Sequence, residues 1–127
     1  MTAEGAFGVI LWSTDVFALA SFLEQVAGLE PGERHPGFAS LRAGESTIMV
    51  HADEAYRGHP WYRALAMEGV ARGIGAELRF RVADVEAAFS TALRLGGLSV
   101  TPPYLDGESH ECQVMGPDSY LISLWHR

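Results

Sequence analysis

Apolar and polar positions alternate over residues 7–13, which places Val9 and Leu11 on one side of an extended segment and Gly8, Ile10 and Trp12 on the other. Asp15 follows as an N-cap, its side chain suited to a free backbone N–H of the first helical turn. Val16, Leu19, Phe22, Leu23 and Val26 then recur at helical spacing as one apolar stripe, and Gly28 can end the helix in the left-handed conformation. Three extended segments are predicted next, about 29–34, 38–42 and 46–51, with Pro31-Gly32, Pro36-Gly37 and Gly44 as turn signals. The order is βαβββ.

The chain then repeats this order. Asp15-Val16-x-Ala18 opens the first helix, and Asp84-Val85-x-Ala87 opens a second one 69 residues later. The same offset sets Gly8-Val9-Ile10-Leu11-Trp12 over Glu77-Leu78-Arg79-Phe80-Arg81. Residues 76–82 alternate strictly. Val85, Ala88, Phe89, Ala92 and Leu93 share one side of the second helix, and Gly96-Gly97 stops it. Strands are predicted near 98–101, 109–115 and 120–125, with Thr101-Pro102-Pro103 and Gly116-Pro117-Asp118 as breaks. One domain over 1–127 is expected, with a first module at about 6–51, a linker at about 52–74 and a second module at about 75–127. The linker piece His59-Pro60-Trp61-Tyr62-Arg63 reads either as a connection draping aromatics over the core or as one wall of a ligand site.

Alternation also assigns the faces. Leu78, Phe80 and Val82 should pack on the helix, which turns Glu77, Arg79 and Arg81 the other way. Ile48 and Val50 leave Thr47, Met49 and His51 on the opposite face. Tyr120, Ile122 and Leu124 leave Leu121, Ser123 and Trp125 there. The expected fold is therefore α+β, two βαβββ modules forming a curved mixed sheet around a cleft, with the helices on the outer face.

Composition narrows the functional classes. With 48% hydrophobic and 20% charged residues, 127 residues can bury a core without disulfides or a structural metal. The single cysteine, Cys112, cannot bridge internally and suits a reducing compartment. No stretch resembles a signal peptide or a membrane span, so a cytoplasmic protein is expected. A net charge of −7 with scattered arginines argues against nucleic acid as partner. The absence of lysine excludes Schiff-base and P-loop chemistry, and with the absence of asparagine it fits a GC-rich, bacterial-like source.

The doubled strand–helix–Gly-Leu pattern, ended by Gly116-Pro117-Asp118-Ser119-Tyr120-Leu121-Ile122-Ser123-Leu124, resembles the vicinal oxygen chelate superfamily, which holds glyoxalases, extradiol dioxygenases and bleomycin-resistance proteins. The resemblance covers nearly the whole chain. It implies a homodimer and, in the enzymes, a divalent metal held on the cleft faces. Carried over position by position, the family's ligand sites fall on Gly8, which has no side chain, on Ser123, a poor ligand, on Glu77, and near Met49 or His51. Only His51 and Glu77 are plausible metal ligands, whereas a catalytic metal wants about three protein ligands.

The leading expectation is therefore a metal-independent binder of a planar or aromatic small molecule, resembling bleomycin-resistance proteins, with Trp12, Met49, His51, Glu77, Arg79, Arg81, Ser123 and Trp125 as ligand-binding residues. Two tryptophans could sandwich a planar ligand, and the two arginines could take a carboxylate or phenolate. No cofactor is expected on this reading, and no catalytic residue is assigned. One alternative is a divalent-metal lyase, isomerase or dioxygenase of the glyoxalase type, with His51 and Glu77 as ligands. Another is an interaction module with a vestigial cleft. Glu77 has three readings: an ion pair with Arg79 or Arg81, a general base, or a metal ligand. Cys112 is expected to be an inert packed thiol.

Overall fold

A computed structural model describes residues 6–127. The first sheet comprises β1 (Val9–Ser13), β2 (Glu30–His35), β3 (Phe38–Ala43) and β4 (Ser46–Ala52), in the order β1-β4-β3-β2. The second comprises β5 (Gly73–Arg81), β6 (Leu98–Asp106), β7 (Ser109–Met115) and β8 (Tyr120–His126), in the order β5-β8-β7-β6. The orders match under the repeat. In each sheet the first strand pairs parallel with the last, and the remaining pairs are antiparallel. Helices α1 (Val16–Ala27) and α3 (Val85–Arg94) cover their own sheets and pack on each other. The α+β fold with two βαβββ modules is thus as the alternation pattern predicts.

The local reasons are those legible in the chain. The Asp15 carboxylate accepts from Ala18 N–H at 3.1 Å and the Asp84 carboxylate from Ala87 N–H at 3.0 Å, so both helices start where the repeat begins. Gly28 closes α1 at φ 69°, a left-handed value that a Cβ would penalise. Val16, Leu19, Phe22, Leu23 and Val26 are all buried. In α3, Val85, Ala88 and Ala92 are buried and Phe89 is half-buried, but Leu93 lies 41% exposed at the edge of its stripe.

Three elements differ from expectation. First, β6 runs unbroken through Pro102-Pro103, although a break was expected there. It is an edge strand, so one of the two missing N–H groups can face away from the ladder, and the register shift between Thr101 and Tyr104 leaves both prolines without a ladder partner. Second, the linker is structured, with a 3-10 turn at Asp53–Tyr56 and helix α2 (Tyr62–Met67). Third, β5 begins at Gly73, ahead of the strictly alternating part.

One core spans both modules. The Phe22 ring of α1 sits against Gly97 and Gly116 of the second module. A Cβ at Gly97 would lie 3.2 Å from that ring and 2.8 Å from the Ala92 carbonyl, and one at Gly116 would lie 3.0 Å from it. Glycine at these places lets the two modules approach.

A second clamp works from the β7–β8 turn. One oxygen of Asp118 accepts from the Ser13 hydroxyl at 2.6 Å, and the other accepts from the Thr14 hydroxyl at 2.6 Å and the Thr14 N–H at 3.1 Å. To reach there, Asp118 and Ser119 adopt φ values of 61° and 63°. Non-glycine residues pay roughly 1–2 kcal/mol for such geometry, and glycine forfeits about 0.5–1 kcal/mol of chain entropy. Ser119→Gly should therefore stabilise the fold by about 0.5 kcal/mol, read as a raised urea midpoint with unchanged slope. An unchanged or lowered midpoint would mean the turn is not strained.

Candidate functional site

The faces opposite the helices carry the polar and aromatic side chains. On β1, Leu11 is buried in the core while Ile10 is 44% exposed and Trp12 half-buried. On β5, Phe80 is buried while Glu77, Arg79 and Arg81 lie exposed.

In the first module, Trp12 heads an aromatic cluster. Its indole stacks on the Tyr56 ring at 3.7 Å, with the planes 9° apart, and His59 meets it edge-on at 4.9 Å. His51 shares a 2.7 Å hydrogen bond with the Tyr56 hydroxyl and packs near Phe38. Burial raises the Tyr56 hydroxyl pKa, so it stays protonated. Met49 is half-buried on the same face of β4 as His51.

The linker is held beneath this cluster by a buried ion pair. The Arg72 guanidinium donates to both Asp53 carboxylate oxygens at 2.6 and 2.7 Å, and to the carbonyls of Trp12 at 3.0 Å and Leu65 at 3.2 Å. Both side chains are only 6% exposed. The Trp12 carbonyl also accepts from the Tyr120 hydroxyl at 2.7 Å, whose pKa burial pushes up to about 12. A carbonyl at the open edge of β1 is thus satisfied twice, by groups that join linker and second module to it.

Between β1, the linker and β5 lies a cavity of about 740 Å³. Val9, Ile10, Leu11 and Trp12 form one wall, and Ala76, Leu78 and Tyr120 another. His59, Trp61, Leu65 and Val70 of the linker form a third. The lining is mostly apolar, and the linker is a wall of it.

The second module's face holds a polar network. Glu77 Oε1 accepts from the Ser123 hydroxyl and from Gln113 Nε2, each at 2.6 Å. Chiefly the Ser123 hydrogen bond, and then that of Gln113, lowers the Glu77 pKa. Arg79 does not pair with Glu77 but with Glu111, at 2.8 and 3.3 Å, and Ser109 donates to the same carboxylate at 2.8 Å. Arg79 first, then Ser109, lowers the Glu111 pKa. Carboxylates held this way add stability above the ordinary value of 4.5 and lose it as pH falls through their lower folded values. Ser123→Ala should therefore move the Glu77 pKa upward in a carboxyl NMR titration; no movement would mean the hydroxyl does not hold it.

Trp125 lies on this face with three guanidiniums near its ring, those of Arg79 at 5.0 Å, Arg127 at 5.4 Å and Arg81 at 5.8 Å. Arg79, Arg81 and Trp125 line a second cavity of about 480 Å³. The eight ligand-binding residues expected from the sequence are therefore distributed. Trp12 lines the apolar cavity, His51 belongs to its aromatic cluster, Met49 shares His51's face of β4, Glu77 and Ser123 bond to each other, and Arg79, Arg81 and Trp125 line the other cavity. The two indoles line different cavities.

His59 enters the sequence reading only within the linker piece, and the sequence assigns no site role to Tyr56, Glu111 or Gln113. Parity along β7 could have found the last two, since Glu111 pairs with Trp125 and Gln113 with Ser123. Cys112, one step off that parity, is buried, and burial pushes its thiol up to about 11, so it is inert at neutral pH.

Among the described residues, the positions where the resemblance puts metal ligands do not form a chelating centre. Gly8 has no side chain, the Ser123 hydroxyl is donated to Glu77, and His51 is bonded to Tyr56. Among the described residues no three His, Cys, Asp or Glu side chains converge. Nor, among them, is any helix long and apolar enough to cross a membrane.

No family model matches the chain, and no curated protein matches it. Solved structures do. A glyoxalase/bleomycin resistance protein/dioxygenase family enzyme from Burkholderia phytofirmans PsJN is 26% identical, with a TM-score of 0.74 over 93% of this chain and 94% of its own. A glyoxalase/bleomycin resistance protein from Albidiferax ferrireducens T118 is 19% identical, with a TM-score of 0.72 over 97% and 99%. TioX from Micromonospora sp. ML1 is 20% identical, with a TM-score of 0.65 over 95% and 94%. The chain shares the fold of glyoxalase/bleomycin resistance protein/dioxygenase family proteins, consistent with the vicinal oxygen chelate superfamily.

Proposed function

We propose that this protein binds a planar aromatic small molecule in the 740 Å³ cavity against Trp12, without a metal, and that it pairs with a second copy of itself. The apolar cavity carries the reading. Its volume lies within the range of small-molecule sites, about 300–1,000 Å³. Trp12 is already packed on Tyr56, so binding need not pay to order it. A two-ring ligand burying about 250 Å² of apolar surface gains roughly 6 kcal/mol at about 25 cal/mol/Å², and ring contacts add about 0.5–1.5 kcal/mol. After association costs, micromolar to millimolar affinity is expected.

Among the described residues no three metal-binding side chains converge, which favours this reading over a metal-dependent lyase or dioxygenase. Pairing is supported by apolar side chains left open, Ile10 and Val70 at the cavity and Ile74 on β5, at 44%, 45% and 60% exposure. The test is a tryptophan-fluorescence titration with naphthalene-2-carboxamide, a neutral planar probe, with and without chelator. Saturable quenching unaffected by chelator is expected. No saturation, or quenching that the chelator abolishes, would overturn the reading.

A further inference from the structure

The smaller cavity has a different chemistry. It lies where the end of β5 meets the start of β2 and the β3–β4 hairpin, and Arg42, Arg79, Arg81 and Trp125 line it. Three of the chain's nine arginines thus meet at one concavity, although the net charge is −7. A cation cluster of this kind is costly unless something negative offsets it.

Two acids are near. Glu30 also lines the cavity and faces Arg42 across the β2–β3 register, and Glu111 is bonded to Arg79. Arg81 has no carboxylate within ion-pair distance among the described residues. Its guanidinium stands 5.8 Å from the Trp125 ring centre, beside that of Arg79 at 5.0 Å. The C-terminal end of α1, at Ala27 and Gly28, closes the far wall, and its carbonyl end disfavours a negative group there. A bound anion is thereby directed to the β5 wall, where Arg81 offers a planar fork of donors next to an indole face.

We propose that this cavity is a site for an aromatic carboxylate, its carboxylate held by Arg81 with Arg79 beside it and its ring against Trp125. The proposal rests on the reading of the chain as a small-molecule binder, and it adds a second site of opposite character to the Trp12 cavity. A volume of about 480 Å³ suits one or two fused rings. An arginine fork matches a carboxylate bidentately, and the indole supplies area that a bare inorganic anion cannot use.

The test compares 2-naphthoate with naphthalene-2-carboxamide, which has nearly the same shape without the charge. Trp12→Phe/Trp61→Phe leaves Trp125 as the only tryptophan, and calorimetry on the unaltered protein provides a second readout if that variant folds poorly. Saturable quenching of Trp125 by 2-naphthoate is expected, weakened by added salt, with the carboxamide failing to compete. Arg81→Gln should reduce 2-naphthoate affinity about tenfold or more while leaving the urea midpoint unchanged. Equal response to acid and amide, or no effect of Arg81→Gln, would overturn the anion site while leaving the Trp12 cavity untouched. Displacement of 2-naphthoate by equimolar inorganic phosphate would overturn the aromatic part of the assignment. Failure of the carboxamide at Trp12, with Arg81-dependent naphthoate binding intact, would overturn the apolar cavity alone and support the anion site.

Discussion

Replacing Arg72 with alanine is expected to lower the unfolding free energy by about 3–5 kcal/mol, the cost of leaving one member of a buried ion pair uncompensated. Asp53, 4% exposed overall, would keep its charge with no partner. The carbonyls of Trp12 and Leu65 would each lose a donor. Typical domains hold only about 5–15 kcal/mol, so the variant should be marginal at room temperature. Urea denaturation reads the loss directly. The double variant Asp53→Ala/Arg72→Ala should recover part of it, because no lone charge then remains. If Arg72→Ala alone costs less than about 1 kcal/mol, the pair does not pin the linker, and the wall it forms is not a fixed one.

Truncation of Trp12 has the second largest expected effect, and it acts on two quantities. The indole is half-buried and stacked on Tyr56, so Trp12→Ala should cost about 2–3 kcal/mol of stability, below the roughly 3–5 kcal/mol of a fully buried aromatic. It should also weaken naphthalene-2-carboxamide about tenfold or more, since the cavity loses an entire ring from one wall. Tyr56→Leu provides the contrast. It removes the support under the indole while keeping the indole itself, so it should weaken binding less than Trp12→Ala does. Equal losses would mean that the ligand reads the stack as a unit.

The fold was legible because its signals are periodic and occur twice. Asp15 and Asp84 cap helices at matching positions, and alternation along β1, β4, β5 and β8 puts Leu11, Ile48, Val50, Phe80, Ile122 and Leu124 in the core, although Ser123 on the opposite face of β8 is buried too. Where local rules conflicted with position in the sheet, the reading failed. Pro102-Pro103 looks like a break in sequence but costs little on an edge strand. Leu93 matches the helical stripe but lies at its margin.

The candidate site was only partly legible, for a related reason. Face parity says which way Trp12, Glu77, Arg79 and Trp125 point, but not how the two modules meet. That depends on Phe22 against Gly97 and Gly116, and on Asp118 reaching Ser13 and Thr14, contacts about 75–105 residues apart in sequence that no period announces. The modules meet so that Trp12 and Trp125 line different cavities. The Asp53–Arg72 pair lies in a stretch without periodicity, so nothing in the sequence matched those residues to each other. Glu77 was weighed as a partner for arginine because the two share a strand face. Ser123 from the adjacent β8 and Gln113 from β7 beyond it bind it instead.

The central claim is that an apolar ring system enters between β1, the linker and β5 with no metal taking part. The most direct measurement follows backbone and indole N–H resonances while naphthalene-2-carboxamide is added in the presence of a chelator. The account predicts saturable shifts concentrated at the indoles of Trp12 and Trp61 and at the amides of Leu65, Val70 and Leu78, which surround the cavity. Shifts absent there, or appearing only once a divalent metal is supplied in excess of the chelator, would contradict it.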